Sequence, residues 1–313
     1  MQTTLDCMPC FVRQALTAVR MVTDDTEPAG RMLRDVLWEM SQMSTEQSPV
    51  VMAQRIHRLV RDLSGGIDPY LDAKDRCNQM ALELYPKVAR MVRESDQKLE
   101  VAVRMAIAGN AIDFGPHQQV DREHIDRAIA HAVESPLTGD YASFAKAASS
   151  GGSVLYLADN AGEIVFDRLL IEQLGAERVT LVVRGAPVLN DAQYCDAELA
   201  GLTDLVAVVD NGSDAPGTLL DDCSREFRER FRQADVVIAK GQGNYESLND
   251  ADRDLFLLLQ AKCPVIADKL KCPVGSLVVK RSGCGSGTES DQIVRDPSKA
   301  STGVTATPLE IPS

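Results

Sequence analysis

Two pairs of polar residues stand where short apolar runs end. Asp159 and Asn160 follow the first run in SVLYLADNAGE, and Asn190 and Asp191 follow the second in VTLVVRGAPVLND. Two carboxylates and an amide oxygen form a hard, all-oxygen ligand set, which suits Mg²⁺ or Mn²⁺ and suits structural zinc poorly. These residues therefore predict a divalent metal site.

Two cationic side chains follow similar runs. Arg184 opens RGAPVLND and Lys240 opens KGQGNYE. A helical pattern starts near Gly162, where free backbone N–H groups and a positive helix end would favour an anion and the missing side chain would let it approach. A metal beside an anion site predicts a phosphate ligand. We expect the metal to activate a water for direct attack on phosphorus while Lys240 stabilises the developing charge.

The elements that must position these residues are short strands. The runs SVLYLA, VTLVVRG, LVAVVDNG and DVVIAKG start near residues 153, 179, 205 and 235, with helix-length segments between them. This alternation predicts an α/β fold with a Rossmann-like, mainly parallel sheet and flanking helices. Ligands of such sheets bind at the carboxyl ends of the strands. Asp210 and Asn211 also end a run, but Gly212 follows them and favours a turn.

The rest of the chain divides into regions of different composition. Residues 1–113 carry helical apolar spacing in segments such as CFVRQALTAVRMV, so we predict an N-terminal all-helical region. Residues 114–282 form the predicted α/β catalytic core. Residues 283–313 are rich in Ser, Thr, Gly and Pro, which predicts a disordered tail.

Composition excludes several classes of function. The 313 residues are 44% hydrophobic and carry a net charge of -13, which argues against broad binding to nucleic acid or to anionic membranes. No segment reaches the ~20 apolar residues that span a bilayer, and the start MQTTLDCMPC lacks the features of a signal peptide. We expect a cytoplasmic protein.

Five motifs in order resemble one known family. ADNAGEIVFD, RGAPVLND and KGQGNYE are similar to the signature motifs of the damage-control phosphatases, long catalogued as domain of unknown function 89. DPYLDAKDRCNQMALELYP and AIAGNAIDFG also resemble that family, and the CMPCF start with a later KCPVIAD resembles its prokaryotic branch. The resemblance covers about Leu5 to Lys280. It implies a metal-dependent phosphatase of small phosphorylated metabolites, such as sugar phosphates or damaged phosphometabolites.

The resemblance also implies roles for individual residues. Asp159, Asn160 and Asp191 would hold a divalent ion (Mn, Mg, Co or Ni), and Lys240 would contact the substrate phosphate. The resemblance implies that Lys240, Asn244, Glu246, Asn110 and Asp113 bind or border the substrate. The loops after the strands add Arg184, Asn190, Gly162 and Glu163 to the predicted substrate-binding set. For Asp113 a structural role at a helix end is an equal alternative.

The cysteines raise a separate question. Cys7 and Cys10 have the CxxC spacing of metal or redox sites, but one such pair supplies only two ligands. With Cys263, Cys272 or Cys77 they could form a second, sulfur-ligated metal site or an iron–sulfur centre, as the resembling branch suggests, and Cys263 is the predicted partner. The alternative is two reduced cysteines that open a helix.

Two other functions stay open beside the phosphatase. One is an S-adenosylmethionine-dependent carboxyl methyltransferase, an activity suggested for a eukaryotic branch of the resembling family. Against it, the first strand ends in DNAGE, where a nucleoside site would need a glycine-rich turn. The other is a noncatalytic protein that binds a metabolite or a metal in the same pocket.

Overall fold

The N-terminal region is helical. The structure is a computed structural model that describes residues 1–109 and 129–283. Within residues 1–109 it has helices and turns and no strand, as predicted. The helices are α1 (Met8–Val22), α2 (Thr26–Gln42), α3 (Pro49–Leu63), α4 (Leu71–Glu94) and α5 (Lys98–Ala108).

Local sequence signals explain where these helices begin. Before α3, the Ser48 side chain accepts a hydrogen bond from the Val50 N–H at 3.3 Å, and Pro49 occupies the first helical position. Asp25 caps α2 similarly, accepting from the Glu27 N–H at 3.1 Å. Helices α1, α2 and α3 then bury their apolar faces against one another.

A seven-stranded sheet follows. Its strands are β1 (Leu137–Gly139), β2 (Val154–Leu157), β3 (Val179–Val183), β4 (Ala207–Asp210), β5 (Val236–Lys240), β6 (Leu255–Gln260) and β7 (Leu277–Ser282). Their order is β1-β7-β6-β5-β2-β3-β4, and neighbours pair in parallel except β6 and β7. The predicted Rossmann-like, mainly parallel sheet is confirmed. The four predicted strands are β2 to β5, whereas β1, β6 and β7 were not predicted.

Helices flank this sheet, as predicted. They are α6 (Tyr141–Ala148), α7 (Glu163–Leu174), α8 (Tyr194–Leu199), α9 (Arg225–Gln233), α10 (Gly241–Leu248) and α11 (Pro264–Leu270). Residues 129–134 are also helical.

Strand β2 lies where the chain changes direction across the sheet. From β2 the chain moves through β3 to β4, then crosses back to β5 on the other side of β2 and continues to β6. The loops after β2 and β5 therefore diverge, which opens a crevice at the carboxyl edge. Leu157 of β2 pairs with Ala239 of β5, so Asp159, just after β2, and Lys240, the last residue of β5, lie at neighbouring strand ends.

Apolar layers cover both faces of the sheet. On one face, Tyr156 and Ile238 belong to a cluster that includes α4, α5 and α7. On the other face, Leu157 and Ala239 pack with Phe227 of α9. Burial on both faces explains why these strands read as continuous apolar runs. The first layer is continuous across the predicted boundary near residue 113.

Two predictions concern parts of the chain that the structure does not describe. A disordered tail was predicted for residues 283–313, and residues 284–313 of it lie outside the described residues. The predicted domain boundary at residue 113 also lies outside them. Of the helices in the described ranges, none combines the length and apolarity needed to cross a membrane.

Candidate active site

The predicted metal ligands lie together at the carboxyl edge of β2 and β3. The two loops are joined by backbone hydrogen bonds, from Ala192 N–H to the Asp159 carbonyl and from Ala161 N–H to the Asn190 carbonyl, both 2.8 Å long. Asn160 and Asp191 also form an isolated antiparallel bridge. The backbone therefore fixes both loops before any ion or substrate binds.

The contacts of Asn160 define which way its amide points. Its Nδ2 donates to Asp159 Oδ2 at 2.7 Å and to Glu163 Oε2 at 3.0 Å. The reverse orientation would turn the amide oxygen toward two carboxylates, so the donor must be on this side. Both amide hydrogens are thereby used, and Oδ1 remains as an oxygen donor for a cation.

Arg184 pairs with a carboxylate of the site. Its Nε donates to Asp191 Oδ2 at 2.6 Å, and its Nη2 lies 3.9 Å from Asp159 Oδ1. The side chain is buried, and Nη2 has no hydrogen-bond partner. A buried guanidinium N–H without a partner is costly, which makes it a ready donor to a ligand oxygen.

Lys240 does not have the environment that the sequence predicted. Its side chain is 0% exposed, and Nζ donates to the Ala106 carbonyl, Glu163 Oε1 and Asp167 Oδ1 at 2.6, 2.7 and 2.6 Å. An ammonium has three hydrogens, and all three are used. The predicted contact with a substrate phosphate therefore does not fit this structure.

Two other predicted binding residues have structural partners. Asn244 is fully buried, where its Nδ2 donates to the Lys240 carbonyl at 2.8 Å and its Oδ1 accepts from the Thr218 hydroxyl at 2.8 Å. The N–H of Gly162, which was predicted to be free for an anion, donates to Asn78 Oδ1 at 2.7 Å. Both residues hold the site together rather than facing a ligand.

The remaining predicted residues lie apart or outside the described residues. Glu246 accepts from Gln242 Nε2 at 2.9 Å, and its backbone carbonyl accepts from the N-terminal ammonium at 3.0 Å. Burial raises the pKa of Glu246 to about 7, although the hydrogen bond from Gln242 and the charge of the N-terminus lower it. Asn190 is half-buried, beside Asp191. Asn110 and Asp113 lie outside the described residues.

Cys7, Cys10 and Cys263 are neighbours. Burial raises the pKa of the Cys10 thiol, and the nearby Cys263 and Cys7 raise it further. In the described ranges, however, no three His, Cys, Asp or Glu side chains converge closely enough to hold a metal ion. A sulfur-ligated centre therefore stays a prediction.

The buried charges of the site are unequal in number. Four carboxylates face two cations, namely Asp159, Glu163, Asp167 and Asp191 against Arg184 and Lys240. Lys74, which also acts on Asp191, is itself paired with Asp68 at 2.7 Å. With all four carboxyls ionised the cluster carries an excess of two negative charges, which a divalent cation would neutralise.

The pKa values of the ligand carboxyls reflect this excess. Burial raises the pKa of Asp159 well above its ordinary value, and the charges of Glu163 and Asp191 raise it further. Burial likewise raises the pKa of Asp191, although Arg184 opposes the shift. Crowded carboxylates without enough positive charge are a common feature of functional sites.

A hard divalent ion fits the donor set. Two carboxylates and the outward amide oxygen of Asn160 offer oxygen only, the preference of Mg²⁺ and Mn²⁺. Three protein ligands are compatible with such ions because they keep several waters when bound.

Sequence reasoning missed three residues of the site. Lys262 is exposed, and its charge acts on Asp159. Lys262 follows β6. Because the sequence did not predict β6 as a strand, it could not place Lys262 at the carboxyl edge of the sheet. Gly241 has φ +82°, and a Cβ there would lie 1.8 Å from Asp159 Oδ2. Leu189 adopts φ +47°, a strain of roughly 1–2 kcal/mol beside the ligand loop.

Comparisons with known proteins agree on one family. A sequence profile of the damage-control phosphatase ARMT1-like domain matches residues 3–278. A protein of Archaeoglobus fulgidus named damage-control phosphatase is 34% identical over 281 residues, covering 88% of this chain and 97% of its own. An uncharacterised protein of Methanocaldococcus jannaschii is 34% identical over 286 residues, covering 88% of this chain and 93% of its own.

A solved structure shows the same fold. The crystal structure of a DUF89 family protein from Pyrococcus horikoshii superposes with a TM-score of 0.81 at 32% identity, covering 90% of this chain and 99% of that chain. A damage-control phosphatase of that organism is 32% identical over 288 residues, covering 90% of this chain and 99% of its own.

Proposed function

Because the chain belongs to the family of the damage-control phosphatase ARMT1-like domain, we propose that it is a metal-dependent phosphatase of small phosphorylated metabolites. Relatives that carry the phosphatase name support the reaction class. The observation that carries the metal dependence is the excess of buried carboxylates at the carboxyl edge of β2 and β3. That excess disfavours a neutral ligand alone and favours a divalent cation.

Three side chains would hold the ion, namely Asp159, Asn160 through Oδ1, and Asp191. Mn²⁺, Mg²⁺, Co²⁺ and Ni²⁺ all accept such oxygen donors. When bound, the ion would polarise a phosphoryl oxygen and lower the pKa of an adjacent water.

Two cations would bind the phosphate. Arg184 is held by Asp191 at 2.6 Å and has a buried Nη2 without a hydrogen-bond partner. A donor fixed in advance stabilises charge in the transition state without reorganisation. Lys262, exposed near Asp159, would reach the outer phosphate oxygens and replaces Lys240 in the predicted role.

Water, rather than Asp159, is the proposed nucleophile. Asp159 Oδ2 already accepts a hydrogen bond from Asn160 at 2.7 Å. Phosphatases with an aspartate nucleophile commonly place an acid two residues later to protonate the leaving group, and that position is Ala161 here. The proposal is a single in-line displacement. An acid-quench trap that finds a phosphoryl group on Asp159 would refute it.

The test is hydrolysis of p-nitrophenyl phosphate and a panel of sugar phosphates by chelator-treated protein, before and after Mn²⁺, Co²⁺ or Mg²⁺ is added. We expect phosphate release that requires the ion. Calorimetry with S-adenosylmethionine, run in parallel, addresses the methyltransferase alternative and should show no binding. Metal binding without hydrolysis of any phosphate ester would leave only the noncatalytic function.

A further inference from the structure

We propose that Lys240 is a positioning residue, which acts through Glu163 to hold the Asn160 amide with its oxygen toward the metal. The inference rests on the proposed function, because it assumes that Asn160 is a ligand. It assigns Lys240 a role in metal affinity instead of phosphate binding.

Glu163 lies between Lys240 and Asn160 and accepts a hydrogen bond from each of them. Lys240 Nζ donates to Glu163 Oε1 at 2.7 Å, and Asn160 Nδ2 donates to the other oxygen, Oε2, at 3.0 Å. Lys240 and Glu163 are 0% and 1% exposed, so the ion pair between them is shielded from water. Glu163 is thus fixed at one oxygen by Lys240 and fixes Asn160 with the other.

Lys240 is itself held from two further sides. Asp167 lies one helical turn after Glu163 on α7, so both carboxylates face Lys240. Asp167 Oδ1 accepts from Lys240 at 2.6 Å and from the Tyr156 hydroxyl at 2.7 Å. The Ala106 carbonyl, at the end of α5, takes the third ammonium hydrogen at 2.6 Å. This network connects the N-terminal helices, the sheet and α7 behind the metal ligands.

The direction in which Lys240→Met changes the affinity for a divalent cation distinguishes a positioning role from a purely electrostatic one. Lys240→Met removes a buried positive charge, and by electrostatics alone this would tighten the binding of a divalent cation. Loss of positioning has the opposite effect, because Glu163 is released and Asn160 is no longer held. Changes to partners of metal ligands typically weaken metal binding 10- to 100-fold.

The first experiment is calorimetric titration of Mn²⁺ into wild type, Lys240→Met and Lys262→Met. We expect Lys240→Met to raise the Kd for Mn²⁺ by at least about 10-fold. Lys262→Met, which removes an exposed charge outside the network, should leave the Kd the same or lower it. An equal or lower Kd in Lys240→Met would overturn the proposal while wild-type hydrolysis still supported the phosphatase. A wild type that neither binds Mn²⁺ nor hydrolyses phosphate esters would overturn both.

A second pair of variants keeps the proposal testable if Lys240→Met does not fold. Glu163→Gln and Asp167→Asn each remove one buried negative charge and keep the side-chain shape. Glutamine must turn an NH₂ group toward either Lys240 or Asn160, whereas Asp167 does not touch Asn160. We expect Glu163→Gln to weaken Mn²⁺ binding at least about 10-fold more than Asp167→Asn does, with activity recovering as Mn²⁺ is raised. Equal losses in both variants would contradict the positioning role.

Discussion

Among the described residues, two clusters of acids differ in how their charges are matched. In the candidate site, four carboxylates face two cations. In the second cluster, Asp214 and Asp222 of the segment after β4 face Arg58 and Arg61 of α3. Arg58 and Arg61 lie 2.5 and 2.6 Å from Asp214, and Gln54 donates to both acids at 2.8 and 2.7 Å.

The pKa values of the two clusters shift in opposite directions. Burial alone would raise the pKa of Asp214, but hydrogen bonds from Arg58, Arg61 and Gln54 hold it at about 2. Burial raises the pKa of Asp159, and its neighbouring carboxylates raise it further. The comparison suggests different purposes. The matched cluster joins α3 to the α/β core, whereas we propose that a divalent cation from outside completes the unmatched one.

The largest expected effect comes from removing a ligand of the unmatched cluster. Asp159→Ala or Asp191→Ala should lower metal-dependent hydrolysis at least ~100-fold, because even outer contacts of metal ligands cost 10- to 100-fold. The fold should persist, since Asp159→Ala removes a crowded negative charge and Arg184 keeps the Asp159 carboxylate 3.9 Å away in Asp191→Ala. Steady-state kinetics at saturating Mn²⁺, with circular dichroism for the fold, measure both. Near-normal activity in either variant would show that the ligand assignment is wrong.

A smaller loss is expected from Gly241→Ala. The new Cβ would lie 1.8 Å from Asp159 Oδ2, so the carboxylate must move. We expect a roughly 10-fold or greater loss of activity, since small displacements of reacting groups can cost 100-fold.

Gly66→Ala is the matched control for this change. Gly66 has φ +88° and open space around its Cβ position, so it shares the backbone strain of roughly 1–2 kcal/mol without the clash. Urea unfolding should show similar destabilisation in both variants, with activity lost only in Gly241→Ala. Equal activities would show that Asp159 tolerates displacement.

Asp214→Asn tests the matched cluster. It should destabilise the protein by about 2 kcal/mol, between the values for buried and for exposed ion pairs, because Arg58 is 42% exposed. Turnover at saturating Mn²⁺ should stay within a few-fold of wild type. A large loss of turnover with unchanged stability would contradict the division between the clusters.

The same cluster predicts a dependence on pH. The pKa of Asp214 is about 2 in the fold, below its ordinary value of 3.8, so the ionised carboxylate stabilises the native state above pH 4. That contribution is lost as the pH falls from about 4 toward 2. The free-energy difference between wild type and Asp214→Asn should therefore shrink between pH 6 and pH 3 in urea titrations.

The smallest effect is expected at the cysteines. Cys7→Ser with Cys10→Ser should leave turnover within a few-fold of wild type, because phosphate chemistry with oxygen ligands needs no thiolate. Stability should fall by no more than about 1 kcal/mol, since Cys10 is exposed and Cys7 half-buried. Elemental analysis of anaerobically purified protein shows whether sulfur-bound metal is present. Lost turnover with the fold retained would contradict the separation of roles.

The sequence was sufficient where local pattern determines structure. Strands β2 to β5 are β-branched runs between helix-length segments, and all four were predicted. Strand β6 reads LFLLLQ, and a short leucine-rich run does not distinguish strand from helix. Strand β1 has three residues and β7 runs antiparallel to β6, so both depend on pairing with distant residues.

The same limit applies to the site. The sequence predicted that Asp159, Asn160 and Asp191 lie together because strand ends converge at one edge of a parallel sheet, and the structure places them there. Their role as metal ligands stays a prediction. The partners of Lys240 were not predicted from the sequence, because Glu163 and Asp167 face Lys240 only when α7 is packed on the sheet. Lys262 was missed together with β6.

The most direct test of the unmatched cluster is thermal unfolding of chelator-treated protein with and without Mn²⁺. At 100 times the Kd, binding to the native state alone adds about 2.7 kcal/mol, which should raise the Tm of wild type by several degrees. Asp214→Asn should have a lower Tm without Mn²⁺ and the same rise in Tm when Mn²⁺ is added. The double variant Asp159→Asn with Asp191→Asn should show no rise. No rise in wild type, or an equal rise in the double variant, would contradict the assignment of this cluster as the divalent cation site.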